Sequence, residues 1–243
     1  MSGVAGAALL VAWEAWHGRG PAEGALELLA AASPGTDREE LAALPLGVRD
    51  RRLLALRAET LGPEVEAVAD CPACGERVEL AWRLPEAGPG CVPAPAREHR
   101  AARGGLELAF RLPDSTDLLA AADAPGEEPA RRLLARRCLL SARRDGDPVA
   151  AGELTDGEIE ALAGAIEAAD PDAETVLALT CAACGHAWRE PLDVAAFVLA
   201  ELSAAAAALL AEVAALASRC GWSEREVLAM SPARRRAYLE MLA

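Results

Sequence analysis

The chain contains no lysine, no asparagine and no glutamine, so each of its 24 basic side chains is an arginine. Set against 38 acidic residues, they leave a net charge of −14. So negative a chain lacks the positive footprint that a general nucleic-acid binder or an anionic-membrane binder needs. The missing amides, with the abundance of alanine and leucine, match a high-GC coding bias and are not read as function. Long apolar runs are also absent. The alanine-rich stretch near the carboxy terminus is cut by Glu201 and Glu212, which leaves a charge-free run of ten residues. That is too short to span a bilayer. The amino terminus has no basic region and Glu14 interrupts its apolar stretch, so no secretory signal is read. Without one, the seven cysteines are expected in a reducing cytosol, with Cys91, Cys138 and Cys220 as ordinary free thiols. A chain of 243 residues can bury about 70–75% of its unfolded surface, so its core does not depend on a metal.

What is present is a pair of cysteine knuckles, Cys71-Pro72-Ala73-Cys74-Gly75 and Cys181-Ala182-Ala183-Cys184-Gly185. Their four thiolates are the number that a tetrahedral structural zinc takes. A two-residue spacer lets both sulfurs of a knuckle face one ion, and the glycine permits the positive φ of a tight turn. Four cysteines close the coordination sphere, so the expected zinc holds the fold and does no chemistry. His186 is read as a neighbour of the site, with replacement of one cysteine as the alternative. The competing readings of the knuckles are a thioredoxin-like redox pair and structural disulfides.

Helical periodicity predicts helices over 4–16, 22–32 and 46–59, and Thr36 with Glu39 fits a capping box for a short helix before Pro45. Arg49, Arg51, Arg52 and Arg57 read as a solvated helix face, or else as a docking face for an acidic partner. Residues 78–84 and 106–112 read as strands of one antiparallel pair, linked by a loop over 85–105. Helices are expected over 114–122, 127–143 and 156–169, capped by Asp114 or Ser115 and by Thr155 with Glu158. Strands over 176–179 and 187–190 flank the second knuckle. A long helix from Asp193 to about Ser218 carries Leu199, Leu202, Ala206, Leu209, Val213 and Leu216 at alternating spacings of three and four, a seam that is expected to pack within its own domain. The expected class is α+β, mainly α-helical, with a small split zinc-ribbon β element, a helical insertion and a long C-terminal helix. The corresponding regions are an N-terminal helical region 1–66, ribbon halves 67–112 and 172–192, an insertion 113–171 and a C-terminal helical region 193–243.

Three stretches carry a family resemblance: Leu44-Pro45-Leu46-Gly47-Val48-Arg49-Asp50-Arg51, the paired knuckles with His186-Ala187-Trp188, and Leu209–Val213 running into Gly221-Trp222-Ser223-Glu224 and Met230-Ser231-Pro232-Ala233-Arg234-Arg235-Arg236. In order and spacing they resemble T4-type phage baseplate proteins associated with hub assembly, a family also found in phage-derived contractile injection systems. Cys220 stands where an aromatic residue is expected, and the second knuckle lacks the proline of the first. The resemblance implies a non-enzymatic protein that helps to build the baseplate of a contractile tail-like particle. Its implied partners are other baseplate or hub proteins, with no nucleic acid, membrane or small-molecule substrate. Its implied location is the cytoplasm or the assembled particle.

No nucleophile–base pair, phosphate loop or carboxylate constellation stands out in the sequence. The carboxy-terminal segment places Trp222 and Tyr238 near Arg234, Arg235 and Arg236, residue types favoured at interface cores, and these five are the expected partner-binding residues. In the alternative, the aromatics cap the core of the long helix and the arginines pair with nearby glutamates. The rival functions are a zinc-ribbon nucleic-acid-binding or regulatory module, which Glu76, Glu79, Glu86 and Glu190 around the knuckles disfavour, and a zinc hydrolase, which would need an open coordination position.

Overall fold

Leucine and alanine at helical spacing build the first layer, α1 (Ala7–Trp16) and α2 (Pro21–Ala32), the latter with proline at its first position. The computed structural model describes residues 6–84 and 96–242, so Cys91 and much of the 85–105 linker lie outside the described residues. A short α3 (Arg38–Ala42) follows, capped by Asp37 through Glu39 N–H rather than by Thr36, because the aspartate stands directly before the first helical residue. Then comes α4 (Leu46–Leu61).

Two hairpins carry the knuckles: β1 (Glu64–Asp70) with β2 (Arg77–Arg83), and β7 (Thr175–Thr180) with β8 (Ala187–Leu192). Between them lie β3 (His99–Arg103), β4 (Leu106–Phe110), α5 (Ser115–Ala122), α6 (Glu127–Cys138), β5 (Leu139–Arg144), β6 (Asp147–Val149) and α7 (Asp156–Ala169). The chain ends with α8 (Val194–Cys220), α9 (Glu224–Leu228) and α10 (Pro232–Leu242). Helix accounts for 54% of the molecule and strand for 21%, a mixed fold that is mainly helical.

The main core is formed by α1, α2, α4 and the first half of α8, where Leu26, Leu28, Leu29, Leu53, Leu56, Val198 and Leu202 are fully buried. Each such side chain contributes about 1.5–3 kcal/mol. All six seam residues of α8 are buried, the first four in this core and Val213 and Leu216 in a smaller one with Val227. By length and composition α8 would suffice to cross a bilayer, contrary to the sequence estimate, which counted only its longest charge-free run. Its apolar seam is instead covered by the rest of the protein.

The insertion between the two hairpins reaches back to His99, beyond the expected 113–171, and is not purely helical. It holds a four-stranded antiparallel sheet in the order β3-β4-β5-β6, packed through Leu106, Leu108, Phe110 and Ala142 against Ala135 of α6 and Ile159 and Leu162 of α7. The expected pairing of 78–84 with 106–112 does not form: β2 pairs with β1, and β4 lies between β3 and β5. The helix predicted over 127–143 stops at Cys138, because Ala142 is needed in the sheet opposite Leu108 and Val149, and sheet pairing overrides local propensity. Both turns left unread carry hairpin chemistry. Gly104-Gly105 (φ 56° and 83°) and Asp145-Gly146 (φ 53° and 92°) hold the left-handed backbone that two-residue hairpin turns require.

The arginines of α4 do not form one solvated face, because Arg51 is exposed and Arg52 half-buried but the other two are buried. Arg49 and Arg57 are 5% and 4% exposed. Arg57 donates to both oxygens of Glu201 on α8, at 2.7 and 3.0 Å, and to the carbonyls of Gly62 and Glu64, fastening α4 to α8 and to the start of the first hairpin. Arg49 pairs with buried Asp50 at 2.7 Å, and Arg51 pairs with Asp172. Nearby, Gly47 N–H donates to Asp170 at 3.0 Å and Leu46 N–H to Pro113 O at 3.1 Å, joining the insertion to the helical core.

Candidate metal centre

The two knuckles repeat one another closely. In the first, Cys71 N–H donates to Glu76 O at 2.9 Å and Gly75 N–H to Cys71 O at 2.8 Å. In the second, Cys181 N–H donates to His186 O and Gly185 N–H to Cys181 O, both at 2.9 Å. The glycines have φ of 74° and 75°, the left-handed turn for which the sequence supplies glycine. Pro72 in one and Ala182 in the other make no difference to this geometry. Each knuckle caps a hairpin in equivalent register, Asp70 opposite Arg77 and Thr180 opposite Ala187.

The hairpins belong to separate sheets and meet through their sulfurs. Cys71 Sγ lies 3.7 Å from Cys184 Sγ, and Cys74 Sγ 3.7 Å from Cys181 Sγ, across 113 and 107 residues of chain. All four sulfurs fall within 4.8 Å of one another. A tetrahedral ion with bonds of about 2.3 Å to sulfur needs sulfurs about 3.8 Å apart, so the four residues can hold a metal. Cys71 and Cys181 are buried and Cys74 and Cys184 exposed, so one sulfur of each knuckle faces the protein and one the solvent. The six described cysteines are unbonded, which speaks against the disulfide reading, and the knuckles sit in antiparallel hairpins rather than a βαβ unit, which speaks against the thioredoxin-like one.

The thiols titrate against one another. Desolvation opposes the thiolate of Cys71, yet backbone N–H bonds from Ala73 and Cys74 and contacts with neighbouring thiols bring it down to about 7. Cys74 accepts a backbone N–H bond from Glu76, which lowers it, but hydrogen bonds with Cys184, Cys71 and Cys181 together with desolvation push it up to about 12. Crowded sulfurs resist simultaneous ionisation, and a cation among them would supply the compensating charge. His186 stands outside the cluster, its ring stacked on Trp188 at 6.1 Å. Cys138 is a buried thiol in the insertion, pushed up to about 12 by burial and by Asp117.

The five residues expected to bind partners come together at the far end of α8, but not as one open patch. Trp222 and Tyr238 meet edge to face at 4.8 Å and close the small core over Leu216 and Val227. Arg235 is buried, donating to Glu212 at 2.7 Å and to Met230 O at 2.9 Å. Arg234 is exposed, its guanidinium 5.7 Å from the Tyr238 ring centre, and Arg236 is exposed.

No curated protein and no solved structure matches the chain. The family model for the T4 bacteriophage base plate protein matches residues 22–197, a span from α2 through both knuckles and the insertion to the first turn of α8. With most of the chain matched, including all four clustered cysteines, this protein belongs to the T4 bacteriophage base plate protein family.

Proposed function

We propose that the protein is a non-enzymatic structural or assembly component of the baseplate of a contractile tail-like particle, and that Cys71, Cys74, Cys181 and Cys184 hold one structural zinc. The observation that carries the reading is the four-sulfur cluster within the family-matched span. Such a zinc has no open position, so it supplies cross-linking between two hairpins and no reaction chemistry. Joining knuckles more than a hundred residues apart restricts a long loop and fixes the insertion against the helical core. The work of the molecule is then done by protein contacts, begun in the cytoplasm and carried into the particle. Trp222, Arg234, Arg236 and Tyr238 are proposed as contact residues, with Arg235 holding their support in place. Mass spectrometry of purified particles tests the function: the protein is expected among the baseplate components or in complexes of isolated assembly intermediates. Its absence from both would refute the proposal.

A further inference from the structure

The sheet of the insertion has two edges, and the sequence treats them differently. β6 is three residues long and contains Pro148, which offers no N–H to a further strand. Short, proline-bearing strands are how sheets close an edge. β3 has neither device. It runs five residues, His99–Arg103, without proline, and pairs only with β4. Alternate backbone N–H and C=O groups along its outer edge therefore find no ladder partner among the described residues.

Beside this edge lies a cleft of about 340 Å³ between β3 and α7, floored by Ala101, Ala161, Gly164 and Ala165 and rimmed by Arg103 and Glu160. That is at the small end of pockets that accept ligands, roughly 300–1,000 Å³. Gly164 sits in the middle of α7, as Gly24, Gly47 and Gly157 also sit within helices, although glycine is the worst helix former after proline. No neighbouring atom comes within 4 Å of the position that a side chain there would take, so nothing in the fold requires glycine at this point. The glycine adds no side chain to the cleft. Glu160 is already engaged by Arg131, whereas Arg97 and Arg103 form no ion pair among the described residues. Residues 97–103 carry three arginines to one glutamate, in a chain of net charge −14. Arginines on an edge also deter pairing between like copies, but that role does not explain the open cleft.

Building on the baseplate reading, we infer that the free edge of β3 accepts an extended, acidic segment of a neighbouring baseplate protein as a fifth strand, with an apolar side chain seated in the cleft over Gly164. Main-chain bonds to β3 supply affinity, the cleft selects a side chain on one face of the added strand, and Arg97 and Arg103 select the sign of charge.

Hydrogen exchange of the full chain, free and within isolated baseplates, tests this. Amides of 99–103 that exchange freely in the free protein are expected to slow by about tenfold or more in the baseplate, as edge amides do on gaining a ladder partner. Gly164→Leu, which fills the cleft, and Arg103→Glu are each expected to reduce recovery of the protein with the baseplate while far-UV circular dichroism stays unchanged. Unchanged exchange at 99–103 with protection elsewhere overturns the edge inference and leaves the baseplate reading standing. Protection already complete in the free protein overturns the edge inference as well. Failure to find the protein in baseplates at all overturns both.

Discussion

Gly47 is set by a carboxylate that comes from the other end of the insertion. A Cβ there would fall onto Asp170 Oδ1 and lie 3.0 Å from Ala173 N, while the Gly47 N–H is the donor that holds Asp170. Gly47→Ala is expected to cost about 2 kcal/mol through overpacking and a weakened buried bond, measured by chemical denaturation. The cysteines make the sharper case. Removing one of four thiolates leaves an incomplete site, so Cys74→Ser and Cys181→Ser are both expected to lose the metal and loosen the two hairpins while most of the helix signal remains. Both positions were legible in the sequence, because cysteine at that spacing has few uses. Asp170, the partner of Gly47, was not, since nothing local ties position 47 to one 123 residues away.

Among elements, several with strong local signals were read correctly, and the pairings made over distance were not. The capping box at Thr155 and the seam of α8 are written in adjacent residues. β1, with alternating Glu64-Val65-Glu66, and the Asp145-Gly146 and Gly104-Gly105 turns also carried local signals, the first turn concealed by the helical spacing over 127–143. The carboxy-terminal helices divide along the same line. Arg235 serves the fold, so Arg235→Ser is expected to destabilise the α8–α10 contact by about 2 kcal/mol, because Glu212 and Met230 O lose their donor. Arg234→Ser and Arg236→Ser are expected to melt like the parent protein and to lower recovery with baseplate components; parent-like recovery of both variants would remove this segment from the interface.

The insertion has an acid-sensitive lock. Arg144 and the Thr155 capping bonds hold Glu158 down at about 2, and at Asp117 burial pushes the carboxyl up but Arg111, the Asp114 N–H and Arg137 outweigh it. A carboxylate held below its unfolded value contributes stability above that value and loses it as pH falls through the folded one. The insertion is therefore expected to loosen between about pH 4.5 and 2, followed through the amide signals of α5 and α7. Flat signals across that window would contradict the assignment.

For the whole molecule, a helical core and a mixed α/β insertion are joined at two kinds of place. One is the buried junction of Gly47 and Asp170; the other is the pair of knuckles, where two hairpins of separate sheets approach through four sulfurs. With the proposed zinc in place, the sulfur junction would give the family-matched span an internal cross-link. X-ray absorption at the metal edge of protein purified under reducing conditions tests this most directly. The account predicts one zinc per chain with four sulfur neighbours at about 2.3 Å. Protein without metal, or a metal with nitrogen or oxygen in place of a sulfur, would contradict it.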